Sequence, residues 1–300
     1  MVDDPLVMQM RPDGRRVGLV TIAADGSGDF TTFAAAIAHG QSLQAAALTA
    51  AGLGPLQMTP NFRCDYLVKP GAYTPAPGDW GGGIPPFSAF YAVDPTPGAT
   101  TLRWGLEPSG GFWWEGIDIV NVDNNGAFDP KYAIHQHAGA TSIITRCTLT
   151  NEAPAAGGYP TPIGMDGETG ATHVMHDVEM STGAYTNLHG LIGGTGPLAG
   201  MTIVYSQCRF PTGSLYFDTL NDADGTEMWV VGGSADTAGL KGDKSTLHLD
   251  PATVLARTTG SYAGHVKADG SPATGTTDGR TDWPVPTGGL SARDRAYYGM

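Results

Sequence analysis

The feature that most constrains this chain is a spacing. Aligning "EGIDIVN", "TRCTLTN", "HDVEMST" and "SQCRFPT" on their apolar positions puts Ile117, Cys147, Val178 and Cys208 in one column, at steps of 30, 31 and 30 residues. The column two residues on holds Ile119, Leu149, Met180 and Phe210, and "VGGSADT" adds a weaker member at Gly233 and Ala235 after a step of 25. Successive strand residues point to opposite faces, so two apolar columns two residues apart share one buried face. Between them stand Asp118, Thr148, Glu179 and Arg209, preceded by Gly116, Arg146, Asp177 and Gln207, which strand alternation turns outward. That pattern sets Arg146 beside Asp177 and Glu179 beside Arg209 on adjacent units, as cross-strand charge pairs. A short strand-and-turn unit cannot bury its apolar face alone, whereas a stack of such units can, which predicts a solenoid. A parallel β-helix of about three strands and about 30 residues per coil is the expected architecture. The segments "AIHQH", "PIGMD", "LHGLI" and "SLYFD" supply a second sheet of it.

Composition agrees with an all-β chain. Among 300 residues there are 44 glycines and 22 prolines, charged residues are 15%, and hydrophobic residues reach 41%. Such a chain is rich in turns yet apolar enough to bury a core. The one helical passage is "TTFAAAIAHGQSLQAAALTAAG", with Thr31 or Thr32 as N-cap and Gly40 as a break or kink. A solenoid needs a cover over its first open coil, and this helix is placed to be one. Three parts follow: 1–55, an entry strand and capping helix; 56–252, the parallel β-helix; and 253–300, an extended polar arm closing in a short helix.

A net charge of −13 opposes nucleic acid as a partner, and no apolar run has the length of a membrane span. Asp3 and Asp4 interrupt the start, so no export signal is expected and the chain is read as made and kept inside a cell. Cys64, Cys147 and Cys208 are few, widely spaced and without a CxxC pattern, which predicts buried free thiols rather than disulfides or zinc.

The stretch "DGSGDFTTFAAAIAHG" resembles the start of pectin methylesterases, and "YLVKPGAYTP", "GIDIVN" and "AIHQHAGATSIITRCTLTNE" resemble their following strands and cysteine-bearing coils. The resemblance covers about the first half of the chain. It implies a right-handed parallel β-helix with an N-terminal helical cap. The esterase residues are not matched: where a nucleophilic aspartate is needed the sequence reads "CTLTNEAPAAGGY", with no aspartate before Asp166. The wider class that the chain is similar to is the pectin-lyase-like β-helix of bacteriophage tail and fibre proteins.

Three groups of side chains are candidates for chemistry. The carboxylates Asp166 and Glu168, two apart in "MDGET", and Asp177 are the catalytic candidates, because glycan cleavage needs paired acids at set separations. Asp166 is more simply explained as a turn residue beside Gly167. His135 and His137, with His173, His176 and His189 further on, could ligate a metal, although hydrogen-bonded histidines explain them more simply, and no metal or other cofactor is expected. Trp80, Trp104, Trp113 and Trp114 are the binding candidates, as saccharide platforms or subunit contacts, and alternation exposes one of Trp113 and Trp114.

The expected role is that of a virion structural protein: a tail, fibre or decoration subunit that forms homo-oligomers, joins other virion proteins and attaches to host-surface glycan. The alternatives are a polysaccharide depolymerase or lyase on the same scaffold, and a sugar-binding module without turnover.

Overall fold

The computed structural model describes residues 16–57, 62–75, 84, 86–108, 111–122, 132–137, 142–152, 161–166, 172–181, 189–193, 200–219, 225–259, 263–266 and 271–279. These residues are predominantly β, and their named strands pair in parallel. The pairings resolve into three ladders. The first stacks Arg16–Ile22, Arg63–Val68, Ser88–Ala92 and Phe112–Glu115, then the leading halves of Ser142–Asn151 and Thr172–Ser181. It continues through Thr202–Ser206, Glu227–Val231, Thr246–Leu249 and Thr276–Asp278. The second ladder runs from Gly71–Tyr73 through Thr100–Leu102 and Asp118–Asn121 to the trailing halves of the two long strands, and on to Arg209, Ser234 and Val254–Leu255. The third joins Ile134–His137, Ile163–Asp166, His189–Gly193, 214–219, 237–241 and Gly264–Val266.

The sequence repeat is the register of these ladders. Val178 lies opposite Cys147, Met180 opposite Leu149 and Glu179 opposite Arg209. The four segments beginning at "AIHQH" form the first four rungs of the third ladder. Pairing also runs past residue 252, where the sequence reading ended the repeat, as far as Asp278.

The alternation expected through "TRCTLTN" is broken at one point. Gly116, Arg146, Asp177 and Gln207 have φ of 72°, 51°, 51° and 54°, and each turns the chain from the first ladder into the second. A single left-handed residue bends a strand without ending its hydrogen bonding, so the column read as mid-strand is a column of corners.

The core follows from the first ladder. Val20, Tyr66, Phe90, Trp114, Ile144, Met175, Tyr205 and Val230 share one register and lie in the main apolar cluster. Tyr66 stacks on Phe90 at 4.3 Å between ring centroids, and Phe90 meets Trp114 in a tilted contact at 5.1 Å. The opposite face of the same strands is also apolar. Ala89, Trp113, Ile143, Val174, Val204 and Trp229 form a second cluster there, all 5% exposed or less. The expectation that one of Trp113 and Trp114 is exposed is therefore corrected: they point to opposite faces, and both faces are buried. A parallel ladder covered on both sides reads as a continuous apolar run, and "FWW" is such a run.

The helix Phe33–Ala50 is capped by Thr32, whose Oγ1 accepts from Ala35 N at 3.3 Å. Phe33, Ile37, Gly40, Gln44 and Leu48 form its buried face, at helical spacing. Gly40 does not break it. The hydroxyl of Tyr66 occupies the space a Cβ at position 40 would need, so glycine permits close approach of the helix to the first ladder. Gly40→Ala is expected to lose about 1 kcal/mol, and up to about 2, despite alanine's better helix propensity, because overpacking costs about 1–3 kcal/mol and the propensity gain is under about 1. Urea unfolding checks this, and Gly40→Ala with Tyr66→Phe should recover part of the loss, since the Tyr66 ring carbon Cζ still lies 2.8 Å from the new Cβ position.

Entry into the helix uses the aspartates of "DGSGDF". Asp25 Oδ1 accepts from Ser27 N at 2.9 Å, Asp29 Oδ2 accepts from Thr21 N at 2.8 Å, and Gly26 takes φ of 80°. Further along, Asn121 Nδ2 donates to Asn151 Oδ1 at 3.1 Å, and Asn151 Nδ2 to Thr161 O at 2.9 Å, pinning the exit from the second ladder. Cys64, Cys147 and Cys208 are buried and free, and burial raises the thiols of Cys64 to about 11 and Cys208 to about 12.

Candidate functional site

The corner between the first and second ladders gathers a three-column patch of polar side chains. On the first ladder Glu115, Thr145, His176 and Ser206 share one register. The corner column adds Arg146, Asp177 and Gln207. On the second ladder Thr148, Glu179, Arg209 and Ser234 follow one another. The rungs are about 4.8 Å apart, so neighbouring members of a column can touch. An open depression of about 450 Å³ lies at its later rungs, lined by His176, Asp177, Gln207, Arg209, Gly233 and Ser234. That volume lies within the range of small-ligand clefts.

The patch is held by ion pairs that cross rungs. Arg209 donates from Nη1 to Asp177 Oδ1 at 2.9 Å and from Nε to Glu179 Oε2 at 3.4 Å. The hydrogen bond that Arg209 donates to Asp177 raises the guanidinium further above its usual range. Arg146 pairs with Glu115, which is buried and accepts from Trp113 Nε1 at 3.2 Å. Of the two charge pairs expected from the repeat, Glu179–Arg209 forms. Arg146 turns instead to Glu115 on the preceding rung, because Asp177 is already engaged by Arg209. Asp118 accepts from Thr148 N at 2.6 Å and Gly98 N at 2.7 Å, fixing the early edge of the patch. His176 meets Ser206 Oγ through Nδ1 at 3.1 Å, and burial holds this imidazole below its ordinary value, hence neutral at pH 7.

Of the catalytic candidates, Asp177 is the one the structure places in this patch. Asp166 belongs to the third ladder, where its backbone pairs with His137, and Glu168 lies outside the described residues. Asp166 is therefore on a different ladder from Asp177. The histidines are dispersed: His135 Nδ1 faces Glu107 at 3.6 Å, His173 Nδ1 meets Ser142 Oγ at 2.8 Å, and His176 sits at the corner. Trp104, Trp113 and Trp114 are 1%, 5% and 0% exposed, so none of the three is a saccharide platform, and Trp80 lies outside the described residues. Gln207, Arg209 and Ser234 were absent from the sequence candidates. The signal available for them was the polar column beside the apolar one, which identified a surface but not a depression.

No protein-family model matches the chain, and no curated protein matches it. Among the described residues no helix is long and apolar enough to cross a membrane.

Proposed function

We propose that this chain is a structural subunit of a larger assembly: a right-handed parallel β-helix of the virion tail, fibre or decoration class, with glycan attachment as its surface activity. One observation carries the structural part. Three carboxylates at the corner, Glu115, Asp177 and Glu179, are engaged as clamps between rungs, in the pairs Glu115–Arg146 and Asp177–Arg209–Glu179, and Asp236–Arg257 repeats the device further along. An acid–base pair for glycan cleavage needs two carboxyl groups free to face the substrate at a set separation, whereas these side chains are held by guanidinium groups. Continuous parallel pairing from Arg16 to Asp278 supports the β-helical reading, and parallel crossovers are right-handed in nearly all sheets. Light scattering of the purified chain is expected to show a homo-oligomer at micromolar concentration. A monodisperse monomer across the accessible range would overturn the assembly reading.

A carbohydrate-active enzyme is the second reading, favoured by one pairing: Asp166 and His137 are register partners on adjacent strands of the third ladder. New reducing ends or unsaturated products released from wall polysaccharide, and lost in Asp166→Ala, would establish it. Glycan retained without product would instead identify a sugar-binding module.

A further inference from the structure

We infer that the corner between the first and second ladders is a binding site for a neutral, hydroxyl-rich chain, a linear glycan lying along the stacking direction. The inference rests on the attachment part of the proposed function and assigns it a place and a ligand class.

A left-handed conformation costs a non-glycine residue roughly 1–2 kcal/mol, and glycine nothing. At the outer rungs of this corner the sequence uses glycine, with Gly116 at φ 72° and Gly232 at φ 63°. At the three rungs between it uses Arg146, Asp177 and Gln207, at φ of 51° to 54°. Glycine would make the same bend, so the bend does not explain these side chains. A strained residue retained where a relaxed one would serve points to a role for its side chain. Those three residues stand at the centre of the polar patch, and two of them line the depression.

The chemistry of the patch selects the ligand. Arg146, Asp177, Arg209 and Glu179 keep 43% to 49% of their side-chain surface exposed, so they can be reached while their ion pairs hold them in place. Guanidinium and amide donors alternate with carboxylate, amide and hydroxyl acceptors over the whole patch, which matches vicinal hydroxyls, each both donor and acceptor. Two guanidinium groups, Arg146 and Arg209, face four carboxylates, Glu115, Asp118, Asp177 and Glu179. With that negative excess, and −13 on the whole chain, a polyanion such as a polyuronate is repelled. The four rungs from Glu115 to Arg209 span about 14 Å at about 4.8 Å per rung, a repeat close to that of an extended pyranose chain. Side chains fixed before binding lose little freedom when a ligand arrives.

The test uses the full chain with neutral linear homoglycans (β-1,4-glucan, β-1,3-glucan and α-1,6-glucan oligomers), with polygalacturonate as the anionic control. At least one neutral glucan should be retained, with affinity rising as the oligomer lengthens to about three units and then levelling. Asp177→Gly with Gln207→Gly should weaken that retention at least tenfold while leaving Tm unchanged within about 3 °C, because glycine relieves the corner. Arg209→Ala should weaken it similarly. Retention of no neutral glucan, retention of polygalacturonate alone, or equal retention by the variants would overturn the inference. Light scattering separates the two readings. A monomer that still binds removes the assembly role and leaves this site standing. Corner variants that lose oligomeric size make the corner a subunit contact and end the glycan assignment.

Discussion

Trp114→Ala is expected to destabilise the chain by about 4 kcal/mol, since deleting a buried large aromatic side chain costs roughly 3–5 kcal/mol. Trp114 is fully buried, packs at a tilt against Phe90 at 5.1 Å, stacks on Phe33 at 6.1 Å, and donates from Nε1 to Ile117 O at 2.7 Å. The substitution opens a cavity where the helix meets the first ladder and also frees the carbonyl beside the Gly116 corner. Both losses act on the folded state. Chemical unfolding should show the loss as a lower midpoint, with Tm reduced by roughly 10 °C. Trp114→Phe should keep the stacking but lose the hydrogen bond, and cost less than half as much. Equal midpoints for Trp114→Ala and the parent chain would show that the aromatic column does not carry the joint.

Acid is expected to weaken the fold through His173. This imidazole is buried, its Nδ1 lies 2.8 Å from Ser142 Oγ, and burial lowers its pKa from 6.5 to about 4. The unfolded chain takes up this proton as pH falls below 6.5, while the folded chain resists until about 4. Between those values the unfolded state binds more protons, so stability falls as pH falls, by about 3 kcal/mol across the window, and levels below it. His176, also lowered by burial, adds a smaller loss of the same sign. Stability measured by urea unfolding from pH 7 to pH 4 should therefore decline more steeply for the parent than for His173→Gln, whatever the variant's stability at pH 7. Parallel declines would remove His173 as the cause.

The two expectations also show which parts of the molecule were readable from sequence. His173 and Trp114 sit in "THVMH" and "FWWEG", strand-like apolar runs that lead directly into the segments where a period near 30 residues repeats. Which face of each run is buried was not legible. Alternation assigns one face to water, and it holds through the second ladder, where Cys147 and Leu149 point inward while Thr148 is partly exposed. It fails in the first ladder, where Trp113 and Trp114 are both covered, because burial of an outer face depends on what packs against it. Gly40 differs similarly: its helical context suggests a break, the helix runs through it, and only the distant Tyr66 gives the glycine a reason.

The site divides along the same line. Arg146, Asp177, Gln207, Glu179 and Arg209 were legible as outward columns, because a repeat in sequence places equivalent residues one rung apart. The local sequence thus determined the stacking register, the three free thiols and the helix with its entry turn. The tertiary structure decided that one column is a line of left-handed corners, that Arg209 rather than Arg146 engages Asp177, and that the tryptophans are core on two faces. The reason is physical: hydrogen-bond register and apolar period are local properties of a strand. Ion-pair choice, corner strain and outer-face burial depend on neighbours that only folding brings together.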